Sequence, residues 1–278
     1  MTTPRLTDRA ALLRNRARAG GPMFLHDLAR EELQDRLGMV NRTFTAPAIV
    51  TGLPTLWGDL LPGARVVPDT PVLDLAEGAH DLVIHAMALH WADDPIGQLV
   101  QARRALRPDG LFLGVLFGGQ TLAELRAVLA QAESELRGGL SARILPMAEI
   151  RDLGAALQRA GFALPVADSL RQSVAYQELD TLFADLRAMG ERNALAARPR
   201  SMTARALFST ARKLYAESFA TRDGAYMAGF ELIFLSGWAP SSNQPKPLRP
   251  GSAKARLADA LGANEVPLPE TVKMEPKD

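Results

Sequence analysis

Two hydrophobic patterns alternate along the chain: stretches with apolar residues three and four apart, and short continuous apolar runs. Within residues 1–20, Leu6, Ala10, Leu13 and Ala17 have the helical spacing, and Gly20, Gly21 and Pro22 end the helix they predict. Residues 23–40 predict a second helix with Phe24, Leu25, Leu28, Leu33 and Leu37 on one stripe. Apolar runs at 46–50, 65–67, 81–86 and 111–117 predict strands. Between them lie a short helix over 53–61 opened by Pro54 and a helix over 94–106 capped by Asp93 or Asp94. Arg107-Pro108-Asp109-Gly110 predicts a turn. Helices follow at 121–136, 148–160, 180–189 and 204–219, with strands at 162–168, 173–176 and 229–237.

This alternation predicts an α/β protein, a largely parallel sheet with helices on both faces. Residues 1–40 read as amino-terminal helices, 41–238 as the α/β domain, and 239–278, with many Pro, Lys and Ser residues, as a mobile tail. With 278 residues, 47% of them hydrophobic, the chain can build a sizeable core. A net charge of +1 argues against a strongly basic nucleic-acid binder, so no nucleic-acid partner is expected. The absence of cysteine excludes disulfides, thiolate zinc sites and cysteine nucleophiles. Four histidines make a multi-histidine metal cluster an unexpected feature, and no metal is expected. No apolar run reaches the roughly 20 residues of a membrane span, and the amino terminus lacks the apolar core of a secretory signal, so a cytoplasmic protein is expected. The first helix carries Arg5, Arg9, Arg14, Arg16 and Arg18 against Asp8 alone. It reads either as a solvated helix packed on the domain or as a contact to a membrane surface or an acidic partner.

One stretch is more specific. Asp81-Leu82-Val83 opens a strand, a short loop and a helix follow, and Pro108-Asp109-Gly110 turns into the next strand. That order resembles class I S-adenosylmethionine-dependent methyltransferases. Leu89-His90-Trp91 before an acidic-proline step, and the run from Phe117-Gly118-Gly119 to Glu124-Leu125-Arg126, resemble closely the methyltransferase-like assembly factor of mitochondrial NADH dehydrogenase (complex I) and its alphaproteobacterial relatives. Asp152-Leu153-Gly154, Arg159-Ala160-Gly161-Phe162, the segment from Asp185 to Glu191 and Gly251-Ser252-Ala253 extend the likeness over nearly the whole chain.

The resemblance implies a Rossmann-like methyltransferase sheet, S-adenosylmethionine as cofactor, and either methyl transfer to an unknown acceptor or a complex I assembly scaffold without catalysis. The mitochondrial factor is associated with arginine hydroxylation of a complex I subunit. A complex I subunit is thus the implied partner, with peripheral contact to the inner membrane through the basic helix.

A sheet of this kind holds its cofactor with a glycine-rich turn after the first strand, an acid after the second for the ribose hydroxyls, and an acid or amide after the third for adenine. Here the first turn reads Thr51-Gly52-Leu53-Pro54, in which only Gly52 keeps the glycine pattern and Pro54 has no N–H to donate. Between Val50 and Asp81 there is room for about one strand–helix unit, so a strand and a helix are expected to be missing there. On this reading the ribose acid has no candidate. Val66-Val67-Pro68-Asp69 reads as the end of the third strand, so Asp69 takes the adenine place or is a plain turn residue.

The cofactor-contact candidates are Thr51, Gly52, Asp69, Ala88, His90 and Trp91, with no catalytic residue assigned. His90 suits proton transfer near neutral pH and Trp91 could stack on adenine or a sulfonium; otherwise both pack the loop. The Gly118-Gly119 step before a helix either cradles an anion or precedes a capping box of Thr121 and Glu124. Tyr176 and Tyr226 read as core, and Arg192, Arg198 and Arg200 as a solvated loop.

Overall fold

The fold is taken from a computed structural model, which describes residues 5–245. Two helices lead, α1 (Arg9–Arg16) and α2 (Phe24–Met39). Then come β1 (Pro47–Thr51), α3 (Pro54–Trp57), β2 (Arg65–Val67), β3 (His80–Ala86), a 3-10 turn (Leu89–Trp91), α4 (Pro95–Ala105) and β4 (Leu106–Phe117). The remainder is α5 (Ala123–Arg137), α6 (Ile150–Arg159), β5 (Ala163–Tyr176), α7 (Leu179–Ala188), α8 (Arg205–Phe219) and β6 (Tyr226–Trp238).

One six-stranded sheet runs in the order β2-β1-β3-β4-β6-β5. The pairs β2–β1, β1–β3 and β3–β4 are parallel, and β6 lies antiparallel to both β4 and β5. Successive side chains of the central strands serve opposite faces. Ile49, Ile84 and Leu113 enter the core under α2, α5 and α8, whereas Val50, Val83 and Phe112 enter the core under α4 and α6. The sheet is therefore Rossmann-like and covered by helices on both faces, and between β1 and β3 it holds only α3 and β2, the contraction that the sequence predicts. Every element above belongs to a compact unit that ends at Ser242.

Several expectations are corrected. The first helix does not bury Leu6, Ala10, Leu13 and Ala17: Ala10, Leu13 and Ala17 are exposed, and Ala11, Leu12 and Arg16 face inward. The run at 65–67 is not a third strand, because β2 pairs residue by residue with β1, Ala48 opposite Arg65 and Val50 opposite Val67. The strands expected at 162–168 and 173–176 are one continuous edge strand, whose exposed positions are Leu164, Val166, Ser169, Arg171, Ser173 and Ala175. The turn at 107–110 is absorbed into the start of β4, where Asp109 takes φ +62° and the register to β3 shifts. Ala239, the first residue of the expected tail, is buried and donates to the Gly110 carbonyl at 2.8 Å. Residues 246–278 lie outside the described residues.

Candidate functional site

The carboxyl ends of parallel strands are where open α/β sheets bind ligands. Here β1 delivers Thr51 and Gly52, β2 leads to Asp69, and β3 leads to Ala88, His90 and Trp91. All six candidates stand along this edge, and five of them are buried, Gly52 being partly so.

What covers the edge is helix α1. Its start is held at several points. Leu6 and Thr7 donate their backbone N–H groups to Asp93 Oδ1 at 2.9 Å, and Thr7 Oγ1 donates to the Trp91 carbonyl at 2.8 Å. Asp8 caps the helix by accepting from Ala11 N, and its Oδ2 also meets Arg198 and Arg200 at 2.9 Å. The Ala11 N–H and the two guanidinium groups hold the Asp8 carboxyl well below the usual carboxylate range. The expectation of a solvated 192–200 loop is thereby corrected, since this loop clamps the amino-terminal helix.

From that anchored helix Arg16 turns inward. A Cβ placed on Gly52 would meet the Arg16 guanidinium carbon at 2.1 Å, so the guanidinium lies directly on the glycine. Arg16 Nη1 donates to Asp69 Oδ1 at 2.7 Å, and Arg9 reaches Oδ2 of the same carboxylate at 3.2 Å. The Asp69 side chain is 3% exposed. Burial opposes its charge, but the two arginines outweigh burial and hold its pKa below the ordinary value.

Further along the edge, Glu191 gathers the other candidates. Trp91 Nε1 donates to Glu191 Oε2 at 2.8 Å, and His90 Nε2 lies 3.4 Å from Oε1. Burial raises the Glu191 pKa, and the neighbouring His90, Arg16 and Trp91 N–H bring it down below the ordinary value. Trp91 packs into a cluster with Ala11, Leu12, Leu145 and Leu195, so its indole is a wedge between α1 and the 192–200 loop. His90 stands edge-on to Phe117, ring centroids 5.1 Å apart. Ala88 precedes the 3-10 turn and accepts from Trp91 N.

Two more histidines belong to this buried layer. His85 Nε2 meets Gln98 Oε1 at 2.7 Å, and His26 Nδ1 accepts from Trp57 Nε1 at 3.2 Å, which leaves the His26 proton on Nε2. Burial lowers both pKa values to about 4, so both rings are neutral at pH 7.

The Gly118-Gly119 step holds no anion cradle, because its N–H groups are used within the fold. Gly118 N donates to the Glu231 carbonyl, Gly119 N to the Ala148 carbonyl, and Gln120 N to Glu231 Oε2. Nor is there a capping box. Thr121 Oγ1 donates to the Glu231 carbonyl, and Glu124 accepts from Gly229 N across the sheet.

Sequence reading missed Arg16, Arg9, His26, His85 and Glu191 as parts of this edge. The sequence shows only a glycine beside Glu191, and the structure gives its reason: Gly190 has φ +78°, and a Cβ there would lie 3.3 Å from the Arg16 Cα. Gly190→Ala is expected to destabilise the fold by about 1–2 kcal/mol through left-handed strain alone, read as a lower urea midpoint at unchanged slope. An unchanged midpoint would show that the loop relaxes away from α1.

The residues do not fit an adenosyl cofactor in this arrangement. The place over Gly52 is filled by Arg16, the Leu53 N–H is bonded to Thr51 Oγ1, and the Asp69 carboxylate is spent on two arginines.

Comparison with known proteins gives sequence relatives of two kinds. No protein-family model matches the chain. Arginine-hydroxylase NDUFAF5, mitochondrial, of Danio rerio is 36% identical over 199 residues, 72% of this chain and 62% of that protein. The Homo sapiens NDUFAF5 is 35% identical, covering 72% of this chain and 57% of its own length. The chain thus spans less than two thirds of these NDUFAF5 proteins. Malonyl-[acyl-carrier protein] O-methyltransferase of Methylovorus sp. is 32% identical over 211 residues, 76% of this chain and 67% of that protein. Among solved structures, the YcgJ protein of Bacillus subtilis aligns with a TM-score of 0.49 at 11% identity, covering 76% of this chain and 99% of that one.

Proposed function

Because this chain belongs to the S-adenosylmethionine-dependent methyltransferase family that includes NDUFAF5 and malonyl-[acyl-carrier protein] O-methyltransferase, we propose that it is a methyltransferase-fold assembly factor for respiratory complex I, with its cofactor seat closed by its own amino-terminal helix. The observation that carries this reading is the Arg16 guanidinium lying on Gly52 and paired with Asp69. The glycine turn is degenerate as well, with Leu53 and Pro54 where small N–H donors would be needed. In this reading the fold presents a surface to a complex I subunit and methyl transfer is not its task. The outer side of α1 presents exposed Leu13 and Arg14, with exposed Arg18 just beyond it, which suit a peripheral contact with a membrane surface. No helix among the described residues is long and apolar enough to cross a membrane.

A second reading draws on Asp69. Because β2 lies directly beside β1, this acid follows the strand whose end carries the ribose acid in methyltransferase sheets, not the adenine acid of the sequence expectation. Withdrawal of Arg9 and Arg16 would free it, and the protein would then be a gated methyltransferase.

Titration of the purified chain with S-adenosylmethionine by calorimetry separates the two. The closed-seat reading predicts no heat of binding at millimolar cofactor. A micromolar Kd for the unmodified chain would overturn it in favour of the enzyme.

A further inference from the structure

A cavity of about 560 Å³ opens beside His90 and Trp91, between the sheet edge and helices α5, α7 and α8. Its size falls in the ~300–1,000 Å³ range of pockets that bury small organic ligands. The walls are apolar: Phe117, Leu125, Leu129, Phe183 and Phe208 line it. It is nevertheless rich in positive charge, with Arg143, Arg187, Arg192 and Arg198 against a single acid, Glu191.

The charges can be followed one at a time. Arg143 is matched by Glu133 at 2.7 Å and Arg198 by Asp8 at 2.9 Å. Glu191 is occupied by Trp91 and His90. Among the described residues neither Arg187, which is exposed at the cavity mouth, nor Arg192, which is partly buried, has an acidic partner, and Arg192 Nε is buried with no hydrogen-bond acceptor. A guanidinium beside an apolar cavity, without a counter-charge, is stabilised by an anion that brings its own apolar body. Its planar fork suits a carboxylate or a phosphate.

We infer that this cavity binds an amphipathic anion, an apolar chain with one carboxylate or phosphate at its end, the chain lying along Phe117, Leu125 and Phe183 and the head group meeting Arg187 and Arg192. The Arg16–Asp69 pair does not line the cavity, which adjoins the closed seat through His90, Trp91 and Glu191. The shared chemistry fits a free acyl acid and a lipid phosphate alike.

The test is calorimetry on the full chain without S-adenosylmethionine, using dodecanoate, dodecyl phosphate and dodecanol below their aggregation limits. At least one anion is expected to bind, and dodecanol at least tenfold more weakly. The tighter anion identifies the head group. Arg187→Ala with Arg192→Ala is expected to reduce anion binding at least tenfold and to leave dodecanol binding unchanged. Leu129→Trp, which fills the cavity, is expected to remove binding of all three, with circular dichroism confirming that both variants remain folded. Equal binding of dodecanol and the anions, or no binding of any probe, would overturn the proposal. So would binding that survives Leu129→Trp, or binding seen only with phosphatidylglycerol vesicles and never with the monomeric anions.

Discussion

Asp69→Ala is expected to lower the unfolding free energy by about 3–5 kcal/mol, the usual cost of removing one partner from a buried ion pair. The size follows from what remains. Arg16, whose side chain is 6% exposed, would keep its charge on Gly52 with no carboxylate bonded to it, only the longer-range charge of Glu191. The contribution of Arg9 is smaller because its side chain is 26% exposed and water screens it. A domain with a net stability of roughly 5–15 kcal/mol loses a large share of it in this way. The loss should be local first: α1 should become protease-sensitive before the sheet unfolds. Replacing both Asp69 and Arg16 with apolar residues of similar volume should cost much less than Asp69→Ala, because the charge left without its carboxylate is then only that of the partly exposed Arg9. Urea unfolding of the three proteins checks this. Equal stability of Asp69→Ala and the unmodified chain would mean that the pair is open to solvent.

Mild acid is expected to destabilise the protein well above the carboxylate range. His26 and His85 have folded pKa values of about 4, lowered by burial from 6.5. A histidine depressed in the folded state is neutral in both states above its unfolded pKa, so its full contribution is present there. As pH falls from 6.5 towards 4, the unfolded chain binds protons that the folded chain refuses, and the contribution is lost. At pH 5 each residue accounts for about 2 kcal/mol at 1.36 kcal/mol per pKa unit. Asp69 and Glu191 act lower, since their depressed pKa values keep their contribution until the pH drops through the carboxylate range. The urea midpoint should therefore fall steeply between pH 6.5 and 5, and His85→Gln should flatten that slope while lowering stability at pH 8. A midpoint constant down to pH 5 would contradict the burial of both rings.

Much of the sheet was legible because its signals are local. The runs that became β1, β3 and β4 are apolar on both sides, as strands covered by helices on both faces must be. Helix α2 shows its stripe, with Leu25 and Leu33 fully buried. The long edge strand β5 was read as two because its exposed residues interrupt the apolar run, and only pairing with β6 holds it together. The site was less legible, because its causes are non-local. Hydrophobic spacing selected the wrong face of α1: the true inner face carries Arg16, which is tolerable only because Asp69 lies 53 residues away in sequence and beside it in space. Glu191 is 101 residues from His90, and nothing in its local sequence marks it as the acceptor for the Trp91 indole. The capping box at Thr121 failed for a similar reason, since β6 competes for both of its side chains.

The central claim is that the chain's own guanidinium occupies the place over Gly52. A crystal structure of the full chain grown with millimolar S-adenosylmethionine tests it most directly. The account predicts Arg16 on Gly52, bonded to Asp69, with no sulfonium there. Density for the cofactor over Gly52, its ribose hydroxyls on Asp69 and Arg16 swung aside, would contradict it.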